Sequence, residues 1–302
     1  MAETAETHRP RRRSPWLNGK LILGIAVLAA LLSLQWIGPL FVDTQQALIG
    51  STTPNLVPVG QKANPALGFK PSKSAHPLGT DSQGRDMLAV MVVGTPRTLY
   101  VGLVAAGLGL IVGTILGFLA GFSRGLADST ITTLTDVVLT IPPIAVLVVV
   151  AAFFTQTSVT LLALIIALFA WPTATRQIRA QVLSMREQGY VKMAQLSGAS
   201  IWKVMYGEMM PNLLPYLAAS FMSMMAATIL VATGLETLGL GSISLPTLGT
   251  TINNALQASA VFRGMWWWWS PPVVVLIVIF LSLLLVTLGL DQVANPKLRK
   301  HL

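Results

Sequence analysis

The sequence predicts an all-α, polytopic membrane protein: six transmembrane helices, with a pair of short cytoplasmic helices between the fourth and the fifth. Three observations carry this. Of 302 residues, 53% are hydrophobic and only 10% charged, against roughly 25% charged in soluble domains. Mean hydropathy is +0.68. The apolar residues also gather into six runs, at 21–42, 98–122, 131–154, 158–171, 213–235 and 272–290. Lipid leaves no partner for exposed backbone, so each run is expected to be a helix.

Taken in order, residues 1–20 are a polar, basic tail, "MAETAETHRPRRRSPWLNGK". A basic start ahead of an apolar run is also the layout of a signal peptide. This run, however, is long enough to span a bilayer, and no small-x-small site closes it. It reads as a retained first helix over 21–42. Residues 43–92 are rich in Pro, Gly, Ser and Asn and are expected to be an irregular extracytoplasmic loop. A transmembrane domain follows over 93–292, with a cytoplasmic loop at 176–211 and a tail at 293–302. Gly107, Gly109, Gly113, Gly117 and Gly121 give the second span the small-xxx-small spacing of close helix packing. Pro142 and Pro143 are expected to kink the third span and help open a cavity near mid-membrane. The run at 158–171 is short for an untilted crossing.

The formal charge of +9 is spread in a way that sets topology. Arg9, Arg11, Arg12, Arg13 and Lys20 precede span one, Arg124 follows span two, and Arg176, Arg179, Arg186, Lys192 and Lys203 fill the loop after span four. Lys297, Arg299 and Lys300 close the chain. By the positive-inside rule these regions, and so both termini, are cytoplasmic. No soluble basic domain is present to hold nucleic acid.

Several chemistries are excluded. Cys is absent, which removes disulfides, thiolate metal sites and cysteine nucleophiles. His8, His76 and His301 lie too far apart for metal-ligand spacing, and His76 reads as a solvated loop residue. There is no phosphate loop; the one Gly-Lys, Gly19–Lys20, is followed by Leu21. No cofactor and no catalytic residue is expected in this chain.

Other candidates are weaker. Asp136 is an acid well inside an apolar run, which needs a reason: pairing with Arg176 or Arg179, or a place in the substrate pathway. Asp81, Arg85 and Asp86 lack the alternating ligands of a calcium loop and read as a turn held by an ion pair. Trp266–Trp269 sit just before span six. Four consecutive helical positions point all round the axis, so an aromatic belt at the headgroups is expected. Trp266 and Trp269 are carried as candidate pathway residues that could stack on a sugar.

Between the fourth and fifth spans lies "AQLSGASIWKVMYGEMMP", Ala194–Pro211. Gly198 should end a first helix and Ser200 cap a second, over 201–210, with Pro211 where span five begins. Ile201, Val204 and Met205 form one apolar face. Such a pair can float in the headgroups or fill a groove on a partner.

These residues resemble the inner-membrane permeases of ABC importers, in particular the dipeptide/oligopeptide C-type subfamily. Ala194, Gly198 and Pro211 fall on the spacing of that family's cytoplasmic signature, flanked by Tyr190–Val191, Gly198–Ser200 and Pro211–Asn212. Lys192 and Met193 depart from it, standing where the family has an acidic residue and a first alanine. The resemblance extends through "HPLGTDSQGRD" (His76–Asp86), "GTPRTLYVG" (Gly94–Gly102), "TDVVLTIP" (Thr135–Pro142), "LETLGLG" (Leu235–Gly241) and "NPKLR" (Asn295–Arg299). It implies a non-catalytic translocation subunit in a bacterial or archaeal cytoplasmic membrane. Its implied partners are a second permease in a heterodimer, two ATP-binding subunits that hold ATP and Mg, and an extracytoplasmic solute-binding protein. Lys192, Met193, Ala194, Gly198, Ala199, Ser200, Ile201 and Pro211 would then form the coupling segment that seats in an ATPase subunit. The implied substrate is a di- or oligopeptide, with an oligosaccharide second and a metal complex third. A proton-driven secondary transporter or channel is the alternative of another class, and it lacks the buried carboxylates of a proton relay.

Overall fold

A computed structural model describes residues 18–123, 125–153, 158–242 and 245–294. Among these, nine helices form the molecule. Helix α1 is Gly19–Phe41, started by the Asn18 side chain, which accepts from the Lys20 amide. Helix α2 is Met87–Phe122; α3, Leu126–Thr140; α4, Pro143–Ala152; and α5, Val159–Arg186. The short α6, Gly189–Leu196, precedes α7, which runs over Ile201–Leu240 with two wide π-type turns, Val204–Met209 and Glu236–Leu240. Helices α8, Leu248–Gln257, and α9, Trp266–Ala294, complete the chain. Five of these are long and apolar enough to cross a bilayer, and α3 with α4 makes a sixth crossing bent by 74°.

The glycine pattern of α2 decides how the helices run. Gly109, Gly113, Gly117 and Gly121 lie against Ala170, Ala174, Ile178 and Val182 of α5. Both series advance by four, so α2 and α5 are parallel and in register. A Cβ on Gly113 would sit 2.4 Å from the Ala174 Cβ, so only glycine allows this approach. Two parallel neighbours need an intervening return, which the bent α3–α4 pair supplies as one span. Helices α1 and α9 pack the opposite way. Leu21 meets Gly289 and Gly24 meets Val286, and the Asn18 amide donates to the Gln292 side chain. The first and last described residues therefore share an end, as six crossings require.

At the other end, residues 43–86 fold as a compact cap over the starts of α2 and α9. The cap has little regular structure beyond two single-turn helices, but it is packed: Leu56, Val57 and Phe69 are buried. Arg85 Nε bonds Asp81 Oδ2 at 2.6 Å, the ion-paired turn expected from the sequence.

Several expectations are corrected. Helix α2 begins at Met87, not after 92, because the Asp86 side chain caps it by accepting from the Ala89 amide at 2.9 Å. The fourth span is a 28-residue helix that continues through Pro172 to Arg186, so Arg176 and Arg179, expected in a cytoplasmic loop of helical character, lie on the same helix as the span. The second helix of the predicted pair is not separate. The wide turn brings the Met210 amide onto the Met205 carbonyl, and α7 passes through Pro211 into span five. His76 is not solvated: it is buried, with Nδ1 2.6 Å from Asp86 Oδ2. The tryptophan run is no headgroup belt. Trp267 and Trp268 are fully buried; the Trp267 indole donates to the Thr80 carbonyl at 3.1 Å and meets Phe69 edge-on at 5.4 Å. The basic residues at 9–13, Arg124, His8, His301 and the "NPKLR" segment lie outside the described residues.

Candidate functional site

The segment after α5 projects an apolar tip from a buried base. Val191 of α6 and Val204, Met209 and Leu213 of α7 pack on Ile178 and Val182 of α5 and Phe118 of α2. Above that base α6 ends in a tight turn. The Gly198 amide donates to the Gln195 carbonyl at 3.0 Å, and the Ala199 amide reaches the Ala194 carbonyl at 3.1 Å. Gly198 takes φ +77°, a conformation in which a side chain is strained. The Ser200 hydroxyl then accepts from the Lys203 amide at 3.3 Å and starts α7.

What this turn exposes is apolar. Met193 is 67% exposed, Leu196 85% and Ile201 60%. Trp202 and Tyr206, one turn apart on α7, stack at 6.0 Å and are likewise exposed. The predicted face of Ile201, Val204 and Met205 is split: Ile201 points outward, while Val204 and Met205 are buried, because α7 starts on the base rather than beside it. Ala194 and Ala199 are half-buried; Ser200 and Pro211 are exposed. Lys192 pairs with Glu187, at the end of α5, at 3.0 Å. Burial pushes the Tyr190 hydroxyl above its ordinary pKa, its hydrogen bond with Asn212 opposing the shift.

A cavity of about 300 Å³ opens between α2, α4, α5 and α7. Pro143, the first residue after the break in the third span, is on its wall, as the predicted kink requires. Leu147, Ile166 and Phe169 make it apolar, and Thr173, Gln177, Ser220, Ser223 and Thr228 give it uncharged polar groups. Such a lining suits a pathway that must bind without holding.

None of the predicted pathway residues lines this cavity. Asp136 bonds Arg176 at 2.5 Å, one of the two pairings expected for it. Beside it, Asp128 takes a bidentate grip from Arg179 at 2.6 and 2.9 Å. The two pairs tie α3 to α5. Trp266 donates to the Gln61 side chain at 3.1 Å, and Trp269 is half-buried against the core under the cap. The sequence reading missed Glu236, one residue past the fifth apolar run but buried in the last turn of α7. It also missed the hydroxyls of α7, which carry no charge or motif to flag them.

Parallel, glycine-seamed helices and a proline-broken span among six crossings define a multi-pass membrane protein. The family model for the binding-protein-dependent transport system inner membrane component matches residues 113–300, and the chain belongs to that family. It is similar to the oligopeptide transport system permease protein OppC of Lactococcus lactis subsp. lactis. The two are 31% identical over 197 residues, 65% of this chain and 67% of that one. It is also 31% identical over 183 residues to the glutathione transport system permease protein GsiD of Pectobacterium atrosepticum, covering 60% of each chain. With the dipeptide transport system permease protein DppC of Lactococcus lactis subsp. cremoris it shares 29% over 188 residues, 62% of this chain and 54% of that one.

Proposed function

We propose that this chain is one of two transmembrane subunits of an ATP-driven importer of di- or oligopeptides. A related permease forms the other half of the pathway. Two partner subunits bind and hydrolyse ATP, a solute-binding protein delivers substrate at the cap end, and both termini face the cytoplasm. The observation that carries this is the exposed apolar turn at Leu196–Trp202 on a rigid, buried base. Exposed apolar clusters of this kind mark contact surfaces, and this one fits a groove on a soluble motor.

The mechanism follows from how that turn is built. Gly198 and the Ser200 cap hold α6 and α7 at a fixed angle, and Val191, Val204 and Met209 lock both to α5. Movement of a docked ATPase is then passed to α5 and α7 together, through side chains too closely packed to absorb it. Those two helices supply most of the polar wall of the cavity, from Thr173 and Gln177 to Ser220, Ser223 and Thr228. The wide turn at Val204–Met209, a common site of local adjustment in helices, is the joint between driver and wall. Switching the cavity between the two faces is then a rocking of α7 against the α2–α5 seam, without chemistry in this chain.

The relatives named for oligopeptide, dipeptide and glutathione transport support a peptide substrate. The oligosaccharide reading rested on Trp266–Trp269, and two of the four are buried while Trp266 is engaged with Gln61. The test is uptake by liposomes holding both permeases and both ATPases, with the binding protein outside and ATP inside. Labelled tripeptides should accumulate and matched oligosaccharides should not. Accumulation of the sugar alone would replace the substrate assignment.

A further inference from the structure

On the side of α2 turned away from the glycine seam, a groove of about 160 Å³ runs between α2 and the start of α7. Ile115, Phe118 and Leu119 form one wall, and Met205, Tyr206 and Met210 the other. The α7 wall is built on the wide turn at Val204–Met209, where the Met210 amide reaches the Met205 carbonyl. Wide turns of this kind are frequent at functional sites. The mechanism above uses this one as a joint but gives no role to the groove beside it. The lining is apolar, and the hydroxyl of Thr114 in its wall already donates to the Leu110 carbonyl at 2.7 Å. A cavity without polar groups to satisfy takes apolar matter rather than water.

The size and level of the groove identify that matter. Its volume is that of about five water molecules at ~30 Å³ each, room for a stretch of one hydrocarbon chain. A helix, about 10 Å across, can cross the mouth but cannot fill the groove. The groove continues an exposed apolar stripe of α2, formed by Ile111, Val112, Ile115 and Leu119, within the apolar run that ends at residue 122. No charged residue interrupts that stripe, so it suits membrane hydrocarbon. Trp202 and Tyr206 stack on each other along the α7 side of the groove, both exposed. Each carries a polar edge, an indole N–H and a phenol hydroxyl, that bonds to no other described residue. Trp and Tyr concentrate at the level of the headgroups. Lys203, exposed between them in sequence, supplies positive charge for a phosphate.

We propose that this groove binds one acyl chain of a phospholipid from the cytoplasmic leaflet, with Trp202, Tyr206 and Lys203 at its headgroup. The chain lies along Phe118, Met205 and Met210, and the unbranched methionines adapt to its shape. Seated there, it fills the space beside the wide turn and braces it, so that movement of the cytoplasmic turn reaches the cavity wall instead of being absorbed. The bracing rests on the coupling reading given above; the lipid site does not.

The experiment uses the assembled complex of both permeases and both ATPases, in nanodiscs that include phosphatidylglycerol with a diazirine at the end of one acyl chain. After illumination, labelled segments are mapped by mass spectrometry. In the wild type the label should concentrate at residues 115–119 and 205–210. Leu119→Trp lays an indole across the groove from an exposed position and should lower labelling of 205–210 by about fivefold or more. Ile111→Trp, on the same stripe but outside the groove, should leave it unchanged. Should Leu119→Trp fail to assemble, Ile115→Trp takes its place. Label spread evenly along the stripe, or equal labelling in the two tryptophan variants, overturns the site. Label found on the second permease in place of these segments also overturns it and makes the groove a subunit contact. Bracing is read separately, as ATP hydrolysis by the delipidated complex in detergent with its binding protein and a tripeptide. Added phosphatidylglycerol should raise the wild-type rate and leave Leu119→Trp unaffected. Localised label without that response refutes the bracing alone, whereas hydrolysis that never responds to binding protein and peptide refutes the coupling reading beneath it.

Discussion

The indole of Trp267 donates to the main-chain carbonyl of Thr80 at 3.1 Å, with both residues fully buried. This bond joins the start of the last transmembrane helix to the cap, and Phe69 closes against the same ring. Trp267→Phe keeps most of the packing but strands the carbonyl. It should cost about 1–3 kcal/mol, read as a lower unfolding temperature of the detergent-solubilised protein. Trp266→Phe loses only a bond on an exposed edge and should leave that temperature nearly unchanged. Equal effects of the two would contradict the division of the tryptophan run into anchors and rim.

Asp86 has two tasks, one oxygen capping α2 and the other facing His76. Removing the cap costs about 1 kcal/mol, and leaving His76 buried without its partner adds about 1–3 kcal/mol. Asp86→Ala should therefore destabilise the protein by several times as much as Asp43→Ala, which uncaps only a short exposed turn. Thermal unfolding of the two variants side by side decides this.

The glycine seam gives a similar internal control. Gly113→Val drives a branched side chain into Ala174 and the α5 backbone, and overpacking of this kind costs about 1–3 kcal/mol. Gly107→Val has only Phe221 nearby, at 4.0 Å, and should be tolerated. If both variants fold equally well, α2 and α5 are not in contact along this register.

Asp136 and Arg176 are both more than half exposed in the isolated chain and yet bonded to each other. Their worth is mutual if they tie α3 to α5. Asp136→Arg and Arg176→Asp should each lower ATP-driven uptake, and the exchanged pair should recover most of it. A double variant whose loss equals the sum of the two singles would mean that the residues act separately.

Much of this molecule was legible in the sequence because lipid imposes so few solutions. Six apolar runs implied six crossings. Pro142–Pro143 implied the broken third span, and Gly198 with Ser200 implied the turn between α6 and α7. The errors share a cause: contacts distant in sequence override local signals. Pro211 marks a helix start by local rules, but a wide turn upstream lets one helix pass through it. His76 in a loop of Gly and Pro reads as solvated until Asp86 is seen beside it. Four tryptophans next to a span read as a belt until the cap folds over two of them. Glu236, one residue past an apolar run, gives no local sign that it will be buried. The cavity was foreshadowed only by its proline, since serines and threonines in a span carry no pattern of their own.

The central claim is that the turn at Leu196–Trp202 seats in an ATP-hydrolysing partner. The chain has no cysteine, so Leu196→Cys introduces an attachment point unique within this chain, at the most exposed large apolar residue of the turn. It would be labelled with a photoactivatable maleimide in the assembled importer, with Phe262→Cys, 95% exposed near the cap, as the control. On illumination, Leu196→Cys should give a product carrying an ATP-binding subunit and Phe262→Cys should not. An unlinked Leu196→Cys in a complex that still hydrolyses ATP and takes up peptide would contradict the account.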